Sequence, residues 1–264
     1  MGKKKIPVSR PIAVFDLDGS LMREQLLVLL TKECFDLQIF RRVAEVVFKQ
    51  VRLTHRDRKI TFETYDRQVI DLFSTRIKGK LKSDVEVAAK QVYDKHRDWL
   101  YVFTRSLLDE LKPTHECITI TGAMQEVVAR LAPYWGFEHN YSTELEVDDI
   151  GRYTGVSKAL PVADKRAALM HHVDSRGANL ANSVALGDTG SDIPMLAAVE
   201  RPIAFNPNDV LADCAEKNDW PIVLERKDCI YVLKDGASKR FVSTDAKAAA
   251  RYVLALKLRG NDRA

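Results

Sequence analysis

The chain has 264 residues, of which 46% are apolar and 30% charged, and 41 Lys and Arg set against 37 Asp and Glu give a formal net charge of +4. That is the balance of an ordinary globular protein, too weakly basic to imply a nucleic-acid partner. No run of 18 uncharged apolar residues occurs, so no membrane-spanning helix is expected, and the length suffices for one large domain or two modest ones.

The basic N-terminus MGKKKIPVSR lacks the apolar segment of a signal peptide, and Ile6 stands where a myristoylation signal requires Ser or Thr. Ile12-Ala13-Val14-Phe15 is expected to be a short, fully buried strand, and it runs directly into Asp16-Leu17-Asp18-Gly19-Ser20. From about residue 22 to 112 the apolar period is helical. Val43, Val46, Val47 and Val51 form one stripe and Phe62, Tyr65, Val69 and Phe73 a second. Val92, Trp99, Phe103, Leu107 and Leu111 form a third, on what reads as one long helix. All three stripes are expected to pack. Cys34, Cys117, Cys214 and Cys229 are scattered without a CxxC pair, the pattern of reduced thiols, and the expected location is cytoplasmic. Basic residues gather at 52–59 (RLTHRDRK) and at Lys78, Lys80 and Lys82, either as solvated helix faces or as a rim that attracts anionic substrates.

After Pro113 the pattern alternates. Strands are expected at 117–120 and 183–186, with a third at 202–205 closed by Asn206-Pro207. Helices are expected at 124–131, at 163–173 and after Pro194, and an extended stretch at 137–147 turns through Asp149-Ile150-Gly151-Arg152. Strands alternating with helices predict an α/β fold, a Rossmann-like parallel sheet with helices on both faces. The block 22–112 interrupts this scheme after the first strand and is expected to be an inserted helical cap at the C-terminal edge of the sheet, where open α/β sheets place ligands. The expected division is therefore a core of 1–21 and 113–264 and a cap of 22–112.

The strand ends carry Asp16 and Asp18, Thr121 and Gly122, and Asp188 with Asp192, while Lys165 begins a helix. Carboxylates converging on one edge repel unless a cation sits among them, and oxygen-only ligands suit Mg²⁺ completed by water and substrate phosphate. With one hydroxyl and one lysine as donors to phosphate oxygens, the set has the makings of a phosphoryl-transfer site.

In order, DLDGS (16–20), ITITG (118–122), DKRAAL (164–169) and GDTGSD (187–192) resemble the four motifs of the haloacid dehalogenase superfamily. GRYTG (151–155), RPIAFNP (201–207) and the helical insert are similar to its phosphoserine-phosphatase-like branch. The resemblance implies a phosphatase with Asp16 as nucleophile, Asp18 as acid and base, and Mg²⁺ held by Asp16, Asp18 and Asp188. It further implies phosphate binding by Thr121, Gly122 and Lys165, with Gly19, Ser20 and Asp192 in support. The substrate is expected to be a small phosphorylated metabolite. In phosphoserine phosphatases a glutamate nine residues after the nucleophile holds the substrate ammonium; here that place is Gln25, preceded by Glu24, and an amide grips a cation less strongly. Arg67 and Arg76 are candidates for a substrate carboxylate. A phosphotransferase of the same fold remains an alternative, as does a non-catalytic phosphorylatable signalling or binding module. Against the module stand the length of the chain, the large insert and Asp18.

Overall fold

The computed structural model describes residues 10–234 and 239–256, so the basic segment 1–9 lies outside the described residues. Its centre is a sheet of strands β1 (Ile12–Phe15), β2 (Glu116–Met124), β3 (His139–Val147), β4 (Tyr153–Ala159), β5 (Val184–Gly187), β6 (Arg201–Phe205), β7 (Ile222–Arg226), β8 (Cys229–Lys234) and β9 (Lys239–Ser243). Their spatial order is β4-β3-β2-β1-β5-β6-β7-β8-β9. Pairing is parallel from β3 through β7 and antiparallel for β4 at one edge and for β8 and β9 at the other.

The helices are α1 (Leu26–Asp36), α2 (Arg42–Arg56), α3 (Phe62–Ile77), α4 (Lys82–His96), α5 (Val102–Leu111), α6 (Gln125–Trp135), α7 (Lys165–Arg176), α8 (Ile193–Leu196), α9 (Asp209–Lys217) and α10 (Ala246–Ala255). β1 is apolar at every position because both of its faces are covered. Ile12 and Val14 join Leu169 and Leu211 of α7 and α9. Ala13 and Phe15 join Phe103, Val127 and Ala250 of α5, α6 and α10. The expected α/β sheet with helices on both faces is present.

Helices α1–α4 follow β1 directly and are tied down in two places. At the sheet's β4 edge, the α3–α4 turn bonds to the β3–β4 hairpin through Gly79 N to Tyr153 O (2.8 Å), Tyr153 N to Lys80 O (2.9 Å) and Lys82 N to Gly151 O (2.8 Å). At the other, the entering and leaving chains meet: Arg23 Nε donates to Leu100 O (2.9 Å) and Tyr101 N to Leu21 O (3.0 Å). Arg23 also pairs with Glu225 of β7, whose carboxylate accepts from Val102 N (3.2 Å) and Phe103 N (2.8 Å) and so caps α5.

Two of the expected apolar stripes are corrected, and in the α3 stripe Tyr65, Val69 and Phe73 are buried while Phe62 is exposed. On α2 the buried residues are Ala44 and Phe48, the latter against Phe35 with ring centroids 5.6 Å apart, whereas Val43, Val46 and Val47 face solvent. Both sets have helical spacing, and only the position of α1 decides between them. The single long helix is two helices, because Leu100 leaves α4 to pair with Met22, and Trp99 at the break is exposed. α5 then packs among the sheet's own helices, Phe103 stacking on Phe205 of β6 at 5.7 Å.

Candidate active site

Asp16 follows β1 and is anchored by donation from its own amide to Leu186 O of the neighbouring β5 (3.0 Å). The chain then turns tightly, with Leu21 N and Met22 N both donating to Leu17 O (2.9 and 2.8 Å). Gly19 makes this turn possible: its φ is +78°, and a Cβ there would lie 2.1 Å from Asp188 Oδ2. The Asp18 carboxylate accepts from Leu26 N (2.8 Å), capping α1, and Ser20 Oγ donates to Asp188 Oδ1 (3.1 Å).

Asp164 caps α7 through Ala167 N (2.8 Å) and sets Lys165 at the helix's first position. The buried Lys165 ammonium donates to Asp16 Oδ1 (2.6 Å) and to Asp192 Oδ1 (2.5 Å). The other Asp192 oxygen accepts from the amides of Asp188 and Thr189, each at 3.0 Å. Asp192 is thus spent on orienting Lys165 and the loop after β5. Gly187 leaves it room, since a Cβ there would come within 2.4 Å of Asp192 Cγ.

Burial pushes the Asp16 carboxyl up to about 6 even though Lys165 pulls it down. Burial and then the Asp16 charge push Asp18 to about 7, and the same two causes raise Asp188 well above the carboxylate range. Burial works against the Lys165 charge, but Asp16 and Asp192 more than offset it and raise its pKa. One oxygen from each of Asp16, Asp188 and Asp192 falls within 4.8 Å of the others. A buried set of hard oxygen donors with an excess of negative charge fits a divalent cation, with Asp16 and Asp188 as the carboxylates not committed to holding Lys165. Asp16 and Asp188 lie on the floor of a cavity of about 270 Å³. The cavity reaches Asp16, Asp18, Lys165 and Asp188 below and Gln25 and Asp66 at the side.

The sequence matches the model of the haloacid dehalogenase-like hydrolases over residues 13–197, which takes in β1, the helical insert and all four motifs. The chain belongs to that family. It is 28% identical over 140 residues to an inhibition of morphological differentiation protein of Streptomyces azureus, covering 52% of this chain and 50% of that one. A phosphoserine phosphatase of Streptococcus thermophilus is 29% identical over 198 residues, covering 74% and 83%. A solved phosphoserine phosphatase, described as a phospho-aspartyl intermediate analogue, shares the fold with a TM-score of 0.55 and 22% identity, covering 83% of this chain and 95% of that one. The chain spans about half the length of the Streptomyces azureus protein and of several other relatives.

Within this haloacid dehalogenase-like hydrolase, Asp16, Asp18, Lys165, Asp188 and Gly122 all border the cavity, and Gly19, Ser20 and Asp192 brace them from behind. Two expected residues are not brought there. Thr121 is fully buried in β2 with its hydroxyl accepting from Ala123 N (3.1 Å), and Gly122 borders the cavity instead. Glu24 turns to Arg52 of α2, 3.4 Å from both of its carboxylate oxygens, while Gln25 faces the cavity and donates to Asp66 (2.8 Å). Arg67 and Arg76 do not line the cavity either. Asp66 also borders the cavity, and the sequence signal for it is an acid on the Phe62–Ile70–Phe73 face of α3.

Gly19→Ala is expected to push Asp188 aside and strain the turn. A stability loss of about 1–3 kcal/mol should follow in thermal or denaturant unfolding. Unchanged stability would show that the turn tolerates the methyl group.

Proposed function

We propose that this hydrolase is a Mg²⁺-dependent phosphatase acting on a small phosphomonoester through an aspartyl phosphate, with helices α1–α4 of the 22–112 insert supplying a cap over the site. The observation that carries the reading is the buried Asp16–Lys165–Asp192 chain beside Asp188, at the floor of a cavity walled by α3. The phospho-aspartyl analogue described for a phosphoserine phosphatase of the same fold supports it.

Asp16 attacks phosphorus, and the P–O bond to the alcohol breaks as Asp18 delivers its proton to the leaving oxygen. Asp18 then takes a proton from water, whose oxygen attacks the aspartyl phosphate and releases phosphate and the Asp16 carboxylate. An acid near pH 7 suits both halves of this cycle, and Asp18 is raised to about 7 by burial and by Asp16. Lys165 balances the charge of Asp16 and of the incoming phosphate. Asp16 and Asp188, with the Asp18 carbonyl that the family resemblance adds, would hold Mg²⁺, which screens the nucleophile from the anionic substrate.

Chelation by EDTA is expected to abolish phosphate release, Mg²⁺ to restore it, and Ca²⁺ to restore little, since its larger and looser shell misplaces the reacting groups. Full activity after exhaustive chelation would refute the metal assignment.

A further inference from the structure

The carboxylate floor meets an apolar chamber. Phe73 of α3, Met124 of β2, Leu145 of β3 and Val162 before α7 wall the cavity. Three further lining residues sit at its opening to solvent: Phe62, Ile70 and Leu160, exposed by 41%, 43% and 47%. Neither an arginine nor a second lysine lines the cavity among the described residues, and Lys165 is already bonded to Asp16 and Asp192. Besides the hydroxyls of Ser74, Thr143, Ser157, Thr189 and Ser191, the polar lining beside the floor consists of two acceptors. Asp66 is one, and the buried Gln25 Oε1 has no hydrogen-bond partner while Gln25 Nε2 is spent on Asp66.

We infer that the leaving group is an apolar alcohol without a second anionic group, carrying a hydroxyl or amine close to the phosphate. This rests on the phosphatase reading and narrows it. A carboxylate such as that of phosphoserine would enter an apolar enclosure with no cation to pair with and two acceptors to repel it. An alkyl body, by contrast, gains from leaving water, and Gln25 Oε1 gains a donor it otherwise lacks. At about 270 Å³ the chamber is near the lower end of ligand pockets, so a long chain would pass out between Phe62, Ile70 and Leu160.

The test is calorimetric binding of non-hydrolysable phosphonates to the Mg²⁺-loaded protein. Ethyl-, butyl-, hexyl- and octylphosphonate should bind progressively more tightly, by up to roughly fourfold per methylene while the chain remains enclosed. A 2-amino-alkylphosphonate should bind more tightly than its parent, and 2-amino-3-phosphonopropionate, which adds the carboxylate, at least tenfold more weakly than that amine. Ile70→Ser, at a half-exposed position that should not disturb folding, should flatten the dependence on chain length and leave ethylphosphonate affinity unchanged. Affinity independent of chain length, or tightest for the carboxylate-bearing phosphonate, would overturn the inference while leaving the phosphatase reading intact. Failure of every phosphonate to bind, with no phosphate release from any ester, would defeat both readings.

Discussion

Asp16→Asn should lower phosphate release by 10⁴-fold or more, on the order of what removing a catalytic nucleophile costs other enzymes, for every ester tested. An amide is a very poor nucleophile, yet it is the same size and still accepts from Lys165, so the turn after β1 should survive. Substrate-analogue affinity should therefore change far less than turnover. Steady-state rates on an aryl and an alkyl phosphate, measured beside phosphonate binding, separate these effects. Residual turnover within tenfold of the parent would remove Asp16 from the nucleophile role.

Lys165→Met should be the most damaging change to the fold itself. The ammonium is buried and donates to two buried carboxylates, so its loss strands Asp16 and Asp192 together without a counter-charge. Breaking a buried ion pair from one side costs about 3–5 kcal/mol. The sign of the pH dependence follows from Asp16, already raised to about 6 by burial with Lys165 in place. Without the lysine its folded value rises further above the unfolded one near 3.9. The unfolded chain then loses its proton first, so stability falls as pH rises from about 4 upward. Denaturant unfolding of the metal-free variant should show a larger deficit at pH 8 than at pH 5. A deficit that is constant or shrinks with pH would mean that the lysine does not serve as the counter-charge.

The motif chemistry was legible in the sequence because each motif is local. Asp16 with Asp18, and Asp188 with Asp192, sit where a short apolar strand stops, and one parallel sheet carries all such ends to the same edge. What depended on distant partners was not legible. Valine spacing on α2 predicts a helix but does not say that Phe35 draws Phe48, and not Val47, inward. The break between α4 and α5 is made by Met22 pairing with Leu100, and Glu225 caps the second helix from β7. Thr121 occupies the expected motif position, yet its hydroxyl turns to a neighbouring amide. Asp66 belongs to the site only because α3 lies beside Gln25.

The central claim is a phosphoryl group carried on Asp16. It is tested most directly in Asp18→Asn, where aryl phosphate, a good leaving group, still loads the nucleophile but the base that would activate water is missing. The variant is mixed with Mg²⁺ and aryl phosphate, quenched in acid and digested for mass spectrometry. The account predicts one added phosphoryl group on the peptide containing Asp16, absent when Asp16→Asn is combined with Asp18→Asn. Release of the aryl alcohol with no phosphoryl group on that peptide, or with the group on another residue, would contradict it.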